Sequence, residues 1–140
     1  MNRRRRTEIL IRSSDNLAAR FAEEIVRRYQ VREIERPNNG LVMLKIRESA
    51  QNSLFNIGEV LVTESKVQIN GHLGIGITID NNPELAYNLA IVDAAYNAQL
   101  PETPEWNEIL IKEEIKNNQR EEVNNRKILK TKVSFETMDV

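Results

Sequence analysis

Residues 73–79 read Leu-Gly-Ile-Gly-Ile-Thr-Ile, an alternation that makes one face of a strand bulky and the other nearly bare backbone. Extended chain is what separates the two sets, because side chains alternate between faces with a period of two. Glycine weakens a strand and packs nothing, so its repetition implies that another segment must come close. The following segment supplies a candidate. Asn82 can cap a helix, Pro83 suits its first position, and Glu84 favours the positive end of its dipole. Ala86, Ala90, Ala94 and Ala98 then recur every fourth residue, a narrow stripe that permits close packing. The expectation is a helix whose Ala stripe lies over the Gly74/Gly76 face.

The rest of the chain is read around that pair. Asn70-Gly71 is a strong hairpin signal and joins the strand to another that covers Leu54 to about Thr63 and runs on, bent or bulged, through Val67 and Ile69. Upstream, Val31–Arg36 and Leu41–Arg47 flank Pro37-Asn38-Asn39-Gly40, whose residues suit a turn, so a further hairpin is expected there. Residues 48–53 are polar and read as a loop. Before the strands, residues 2–12 can form a short helix. A second helix is expected to start with Ser14 or Asp15 as its cap, carrying Leu17, Phe21, Ile25 and Tyr29 at helical spacing. After the Ala-rich helix, residues 101–104 read as a loop and Trp106, Ile109 and Leu110 open a helix to about Arg126. Its part from Lys116 to Asn125 is apolar only at Val123, too little to be held by its own burial. Val133 and Phe135 alternate with polar residues near the end and suggest a terminal strand.

The fold class expected is α+β: an antiparallel sheet of about four to five strands packed by helices, with two N-terminal helices and an extended helical C-terminal arm. The 140 residues suit one domain. Within it, 1–30 is helical, 31–80 the sheet, 82–99 the packing helix, and 105–140 the helical arm with its terminal strand.

Charge and composition narrow the function. A net charge of -1 gives no global field toward nucleic acid or an anionic membrane. Cysteine is absent, which removes disulfides, thiolate nucleophiles and thiolate metal sites. No apolar run approaches the roughly 18–20 residues that span a bilayer. Arg3-Arg4-Arg5-Arg6 precedes only Ile9-Leu10-Ile11, too short for a secretory h-region. A cytoplasmic protein is expected, with the Arg run a solvated helical turn or a partner contact.

Chemistry is sparse. The single histidine, His72, falls at the tip of the Asn70-Gly71 hairpin with nothing nearby to orient it. Gly71, Gly74 and Gly76 lack the spacing and the Lys-Ser or Lys-Thr pair of a phosphate loop and sit inside an alternating strand. Two carboxylates fall among apolar neighbours: Glu59 in the long strand and Asp93 in the Ala-rich helix. Each is either a structural pair or part of a site completed at an interface, since a buried carboxylate must be paired or protonated. The residues describe a domain built for partners, without a catalytic apparatus of its own.

Three stretches in order carry a resemblance. The first is Gly40-Leu41-Val42 with Phe55 and Gly58-Glu59-Val60-Leu61-Val62-Thr63-Glu64. The second is Gly71, Gly74, Glu84, Ala86, Ala90 and Asp93-Ala94. The third is Val133-Ser134-Phe135-Glu136-Thr137-Met138. Together they resemble the PhnG subunits of the carbon–phosphorus lyase system, over essentially the whole chain. The sequence departs from the family's pattern at Ile75, where an aromatic residue is frequent, and at Asp80, where many members have glycine.

The resemblance implies an accessory or scaffold subunit of the phosphonate carbon–phosphorus lyase core complex. That complex would transfer ribose 5-triphosphate from a purine nucleoside triphosphate to an alkylphosphonate and release the base (a ribose 1-methylphosphonate 5-triphosphate synthase). Base displacement would belong mainly to the nucleosidase-like PhnI subunit, and the later radical cleavage to the iron–sulfur PhnJ subunit. The implied partners are those core subunits, PhnI above all, and a second copy of the chain, with neither nucleic acid nor membrane. No cofactor of its own is expected; the complex would use ATP or GTP as substrate, and the isolated chain would be inactive. Glu59, Thr63 and Asp93 are the candidate site residues, and Gly58, Phe135 and Met138 the candidate interface residues. The competing reading is a stand-alone homodimeric interaction module paired through an exposed sheet edge.

Overall fold

The structure, a computed structural model, describes the backbone of residues 1–47 and 54–138 and the side chains of residues 1–43 and 58–129. The expected loop over 48–53 lies outside the described residues. In chain order the elements are α1 (Arg3–Arg12), α2 (Leu17–Arg28), β1 (Arg32–Arg47), β2 (Leu54–Ile69), β3 (His72–Ile79), α3 (Pro83–Asn97) and α4 (Thr103–Met138). The chain divides into two compact units, residues 16–103 and residues 1–15 with 104–140.

The first unit is an antiparallel three-stranded sheet in the order β1-β2-β3, with α3 on one face and α2 packed on α3. Asn70 and Gly71 both take positive φ, 50° and 80°. That is what the tight β2–β3 hairpin needs to match the twist of its strands. α3 starts as the sequence predicts: the Asn82 side chain accepts the Leu85 amide at 3.2 Å and Pro83 takes the first turn. Its Ala86, Ala90 and Ala94 are buried against Gly74 and Gly76. A Cβ on Gly74 would collide with the Ala90 carbonyl oxygen and the Ala94 amide, and one on Gly76 with the Ala86 carbonyl oxygen. Thr63, Ser65, Val67 and Ile69 of β2 complete the covered face, while Leu17, Phe21 and Ile25 of α2 are buried as well.

Three sequence expectations are corrected. Residues 37–40 do not turn: β1 runs through them as one strand of 16 residues. Its register against β2 shifts by one residue between Glu33 and Glu35 and by one more between Glu35 and Asn38, so the strand bulges there instead of turning back. A bulge accepts proline, which has no amide to pair, as readily as a turn does. The Asn38 side-chain amide fastens it by donating to Glu35 Oε1 (2.7 Å), the Arg36 carbonyl (2.9 Å) and the Glu64 carbonyl (3.4 Å). The terminal strand is not formed either, because α4 continues to Met138. Extending an existing helix gains a hydrogen bond per residue without a new nucleation cost. These two differences reduce the strand count to three. Finally, Asn16 rather than Ser14 or Asp15 precedes α2, in the left-handed region and without a side-chain cap bond. The Ser13 hydroxyl accepts the Asp15 amide instead, at 3.2 Å.

The second unit pairs α1 with the first half of α4. Asn2 caps α1 by accepting the Arg5 amide at 2.8 Å. Arg5 makes a two-pronged bond to Glu114, with Nε–Oε2 2.9 Å and Nη2–Oε1 2.6 Å. Arg12 reaches Glu121, Asn117 donates to the Ile9 carbonyl (3.3 Å), and the Ser13 hydroxyl donates to Glu113 (3.2 Å). Ile9, Leu10, Trp106, Leu110, Glu113 and Asn117 are buried. Beyond Asn117 the burial ends, and every residue from Asn118 to Leu129 is exposed. At about 1.5 Å per residue α4 is on the order of 54 Å long.

Candidate functional site

The candidate site residues do not converge. Asp93 is buried, with its Oδ2 accepting the Ile75 amide at 2.9 Å. Thr63 is buried where β3 ends. Its hydroxyl lies 2.7 Å from the Asp80 carbonyl oxygen and 3.0 Å from Asn39 Oδ1, and it accepts the Asn82 amide at 3.0 Å. It therefore ties β1 and β2 to the turn that launches α3. Asp80 in that turn has φ 68°, the left-handed region, at the position where the PhnG pattern often has glycine. Glu59 is exposed and lies opposite Met43 on the β1–β2 ribbon. Four residues of strand put it about 13 Å from Thr63. Ile75 pairs with Lys66, so the Asp93 contact lies about 10 Å from Thr63 in the other direction.

Other named residues fall as follows. His72 is exposed beside the hairpin turn. Gly58 is exposed with φ 147°. Phe135 and Met138 lie in the last turns of α4, and their side chains are outside the described residues. Among the described residues, no group of three or more His, Cys, Asp or Glu side chains could hold a metal ion. None of the helices there is long and apolar enough to cross a membrane.

What the structure does assemble is an uncovered sheet face. Because the glycines of β3 turn toward α3, the aliphatics turn away from it. Leu73, Ile77 and Ile79 are 45%, 48% and 69% exposed, with Ile75 half-buried between them. These side chains leave on the order of 300 Å² of apolar surface in one row, a patch size that in a monomer is often functional. Opposite them on β2 stand Val62, Glu64, Lys66 and Gln68. Lys66 Nζ lies 3.3 Å from Glu35 and 3.5 Å from Glu64, so one cation bridges two carboxylates on this face. Hydrogen bonding from Asn38, then from Lys66, holds the Glu35 carboxyl below its usual range. On the ribbon beyond β3, Val42 is exposed on this same face, whereas Leu41, Met43 and Leu61 are exposed on the opposite one.

The outer edge of β3 is divided. The Asp80 amide bonds to the Leu61 carbonyl at 2.8 Å, which fixes the parity of the strand. Residues 73, 75, 77 and 79 therefore direct their backbone groups outward. Asn97 donates to the Leu73 carbonyl at 2.7 Å and Asp93 takes the Ile75 amide. Among the described residues nothing engages the outward groups of Ile77 and Ile79.

A cluster of Tyr29 and Arg28 around the buried Glu102 was not signalled by the sequence. Tyr29 Oη lies 3.1 Å from both Glu102 oxygens, and Arg28 donates to Glu102 at 3.1 Å. Burial, then the bond to Glu102, pushes the Tyr29 hydroxyl up. The group closes the unit at the end of α2; the only local hint is Tyr29 itself, at the end of the helical spacing.

Comparison with protein families matches residues 1–139 to the model described as "Phosphonate metabolism protein PhnG". Comparison with curated proteins finds no match.

Proposed function

Since the chain belongs to the PhnG family of phosphonate metabolism proteins, subunits of the multiprotein carbon–phosphorus lyase complex, we propose that it is a scaffold subunit of that complex. In this role it supports transfer of ribose 5-triphosphate from a purine nucleoside triphosphate to an alkylphosphonate in the cytoplasm, while a nucleosidase-like PhnI subunit displaces the base. One observation carries the reading: the bare aliphatic row Leu73, Ile75, Ile77 and Ile79, which a partner subunit would cover. The buried carboxylate Asp93 is spent on a backbone amide, which fits structure rather than catalysis.

The test is co-expression with a tagged PhnI-type partner, followed by pull-down and a base-release assay on the mixture. Stoichiometric capture, with base released from ATP only by the mixture, is the expected result. Turnover by the isolated chain, or failure of two folded proteins to associate, would overturn the reading. The open backbone at Ile77 and Ile79 favours a second reading, a homodimer joined along β3, which native mass of the isolated chain at twice 16.2 kDa would support.

A further inference from the structure

We propose that the edge of β2 between Leu54 and Val60 receives an extended segment of another protein, apolar in alternation and carrying one lysine or arginine to meet Glu59. β3 ends at Ile79, opposite Val62, so β2 has a strand on each side only from Val62 onward. From Leu54 to Val60 it pairs with β1 alone. That stretch leaves about 23 Å of strand edge unpaired. The two strands form a ribbon there, and a two-stranded ribbon is marginally stable in water by itself.

Backbone direction, surface and charge each bear on what fits. The Asp80 amide bonds to the Leu61 carbonyl, so Leu61 turns its backbone groups toward the side where β3 lies. Glu59, two residues along in unbroken register, turns the same way past the end of β3. Its amide and carbonyl therefore offer a donor and an acceptor to an added strand. The ribbon is also apolar on both faces, with Leu41 and Leu61 exposed on one and Val42 on the other. Alternating side chains of an added strand extend both faces, whereas a helix laid on the ribbon covers one. Finally, Glu59 is exposed, and among the described residues no cation pairs with it. It is the one charged residue between Leu54 and Val60. Two copies joined along this edge would bring together two carboxylates and no cation, each losing water without a partner. A different protein with a cation at the matching position meets the same edge with complementary charge.

The inference stands on this edge alone: the aliphatic row of β3 can hold a PhnI-type partner whether or not β2 accepts a strand. The experiment is selection of heptapeptides displayed on phage against the full chain, followed by anisotropy titration of the enriched sequences as free peptides. Enriched sequences should alternate apolar residues and carry lysine or arginine at one fixed position. Glu59→Lys should bind them at least tenfold more weakly and, used as the target in turn, should select aspartate or glutamate there. Glu59→Pro removes an amide that faces away from β1, so the β1 ladder stays whole while every selected peptide weakens at least tenfold. Should the proline variant lose its fold by circular dichroism, the charge exchange at this exposed position decides the matter. No enrichment, enrichment without a fixed charge, or peptides that bind the folded Glu59 variants as tightly as the parent chain would overturn the proposal. So would a native mass of twice 16.2 kDa that falls to one chain in Glu59→Pro, since the edge would then belong to a second copy.

Discussion

Gly76 and Ala86 meet backbone to backbone: a Cβ added to Gly76 would overlap the Ala86 carbonyl oxygen. Neither partner is the end of a flexible side chain, so the helix would have to lift from the sheet. Gly76→Val should therefore lower stability by about 3 kcal/mol or more, the upper range of overpacking. Gly40 is the control, since nothing lies within 4 Å of a Cβ there and its φ is not positive. Gly40→Ala should be neutral or stabilising by about 0.5–1 kcal/mol. Urea midpoints of the two variants should move in opposite directions or differ widely; equal shifts would contradict the packing.

Asp80 holds φ at 68° without being glycine, while Thr63 fastens its carbonyl. An L-residue in that region carries about 1 kcal/mol of strain that glycine does not. Asp80→Gly should therefore raise the melting temperature by a few degrees, reduced by the added freedom of the unfolded chain. A fall in melting temperature would mean that the Asp80 side chain contributes more than its backbone costs.

Removing the Asp93 carboxylate strands a backbone amide at the helix–sheet contact. Asp93→Ala should cost about 1–3 kcal/mol, the penalty of an unmet buried donor. Asp93→Asn keeps an acceptor oxygen and should cost less. Denaturant unfolding measures both. An assembled complex that turns over normally with the Asn variant would confine Asp93 to structure, whereas a folded but inactive one would make it catalytic.

Acid should loosen the α1–α4 pair. The hydrogen bond from Arg5, then its charge, holds the Glu114 carboxyl below its usual range. A depressed folded pKa contributes stability above the unfolded value, and this is lost as pH falls through the folded one. Thermal melts should hold steady near neutrality and decline below about pH 4. Glu114→Gln should flatten that decline, and an unchanged acid slope would show that the pair contributes nothing.

The substitution Ile77→Lys separates docking from folding. The side chain is 48% exposed, so the isolated chain should keep its stability within about 0.5 kcal/mol. Capture by a PhnI-type partner should fall at least tenfold, because a lysine at the centre of an apolar contact must lose its water. Undiminished capture would move the contact elsewhere on the chain.

The features legible in the sequence were those encoded by residue size. Gly74, Gly76 and the Ala stripe specify a backbone contact that few other arrangements satisfy, so the helix, the strand and the covered face could be read together. Residues 37–40 misled because the same Pro and Asn residues serve a turn or a bulge. The choice was made by the Glu64 carbonyl, 26 residues away, which accepts from Asn38. The alternation around Val133 and Phe135 was outweighed by continuation of a helix already formed. Asp93 stood out as a polar residue on an apolar helix, but its partner, an amide on β3, depends on how α3 docks. Glu59 and Asp93 looked alike in one dimension, but the first is exposed on the β1–β2 ribbon and the second buried on α3.

The divided edge of β3 bears on the period between synthesis and assembly. A subunit released with a bare aliphatic row and a fully open edge would template copies of itself, strand upon strand. Asn97 and Asp93 obstruct half of that edge using side chains from the helix the glycines admit. Runaway stacking is stopped after about two residues, while the apolar row stays available to the intended neighbour. The same close approach that lets α3 reach the sheet thus also supplies a safeguard against polymerisation, lengthening the time the chain can wait for its complex.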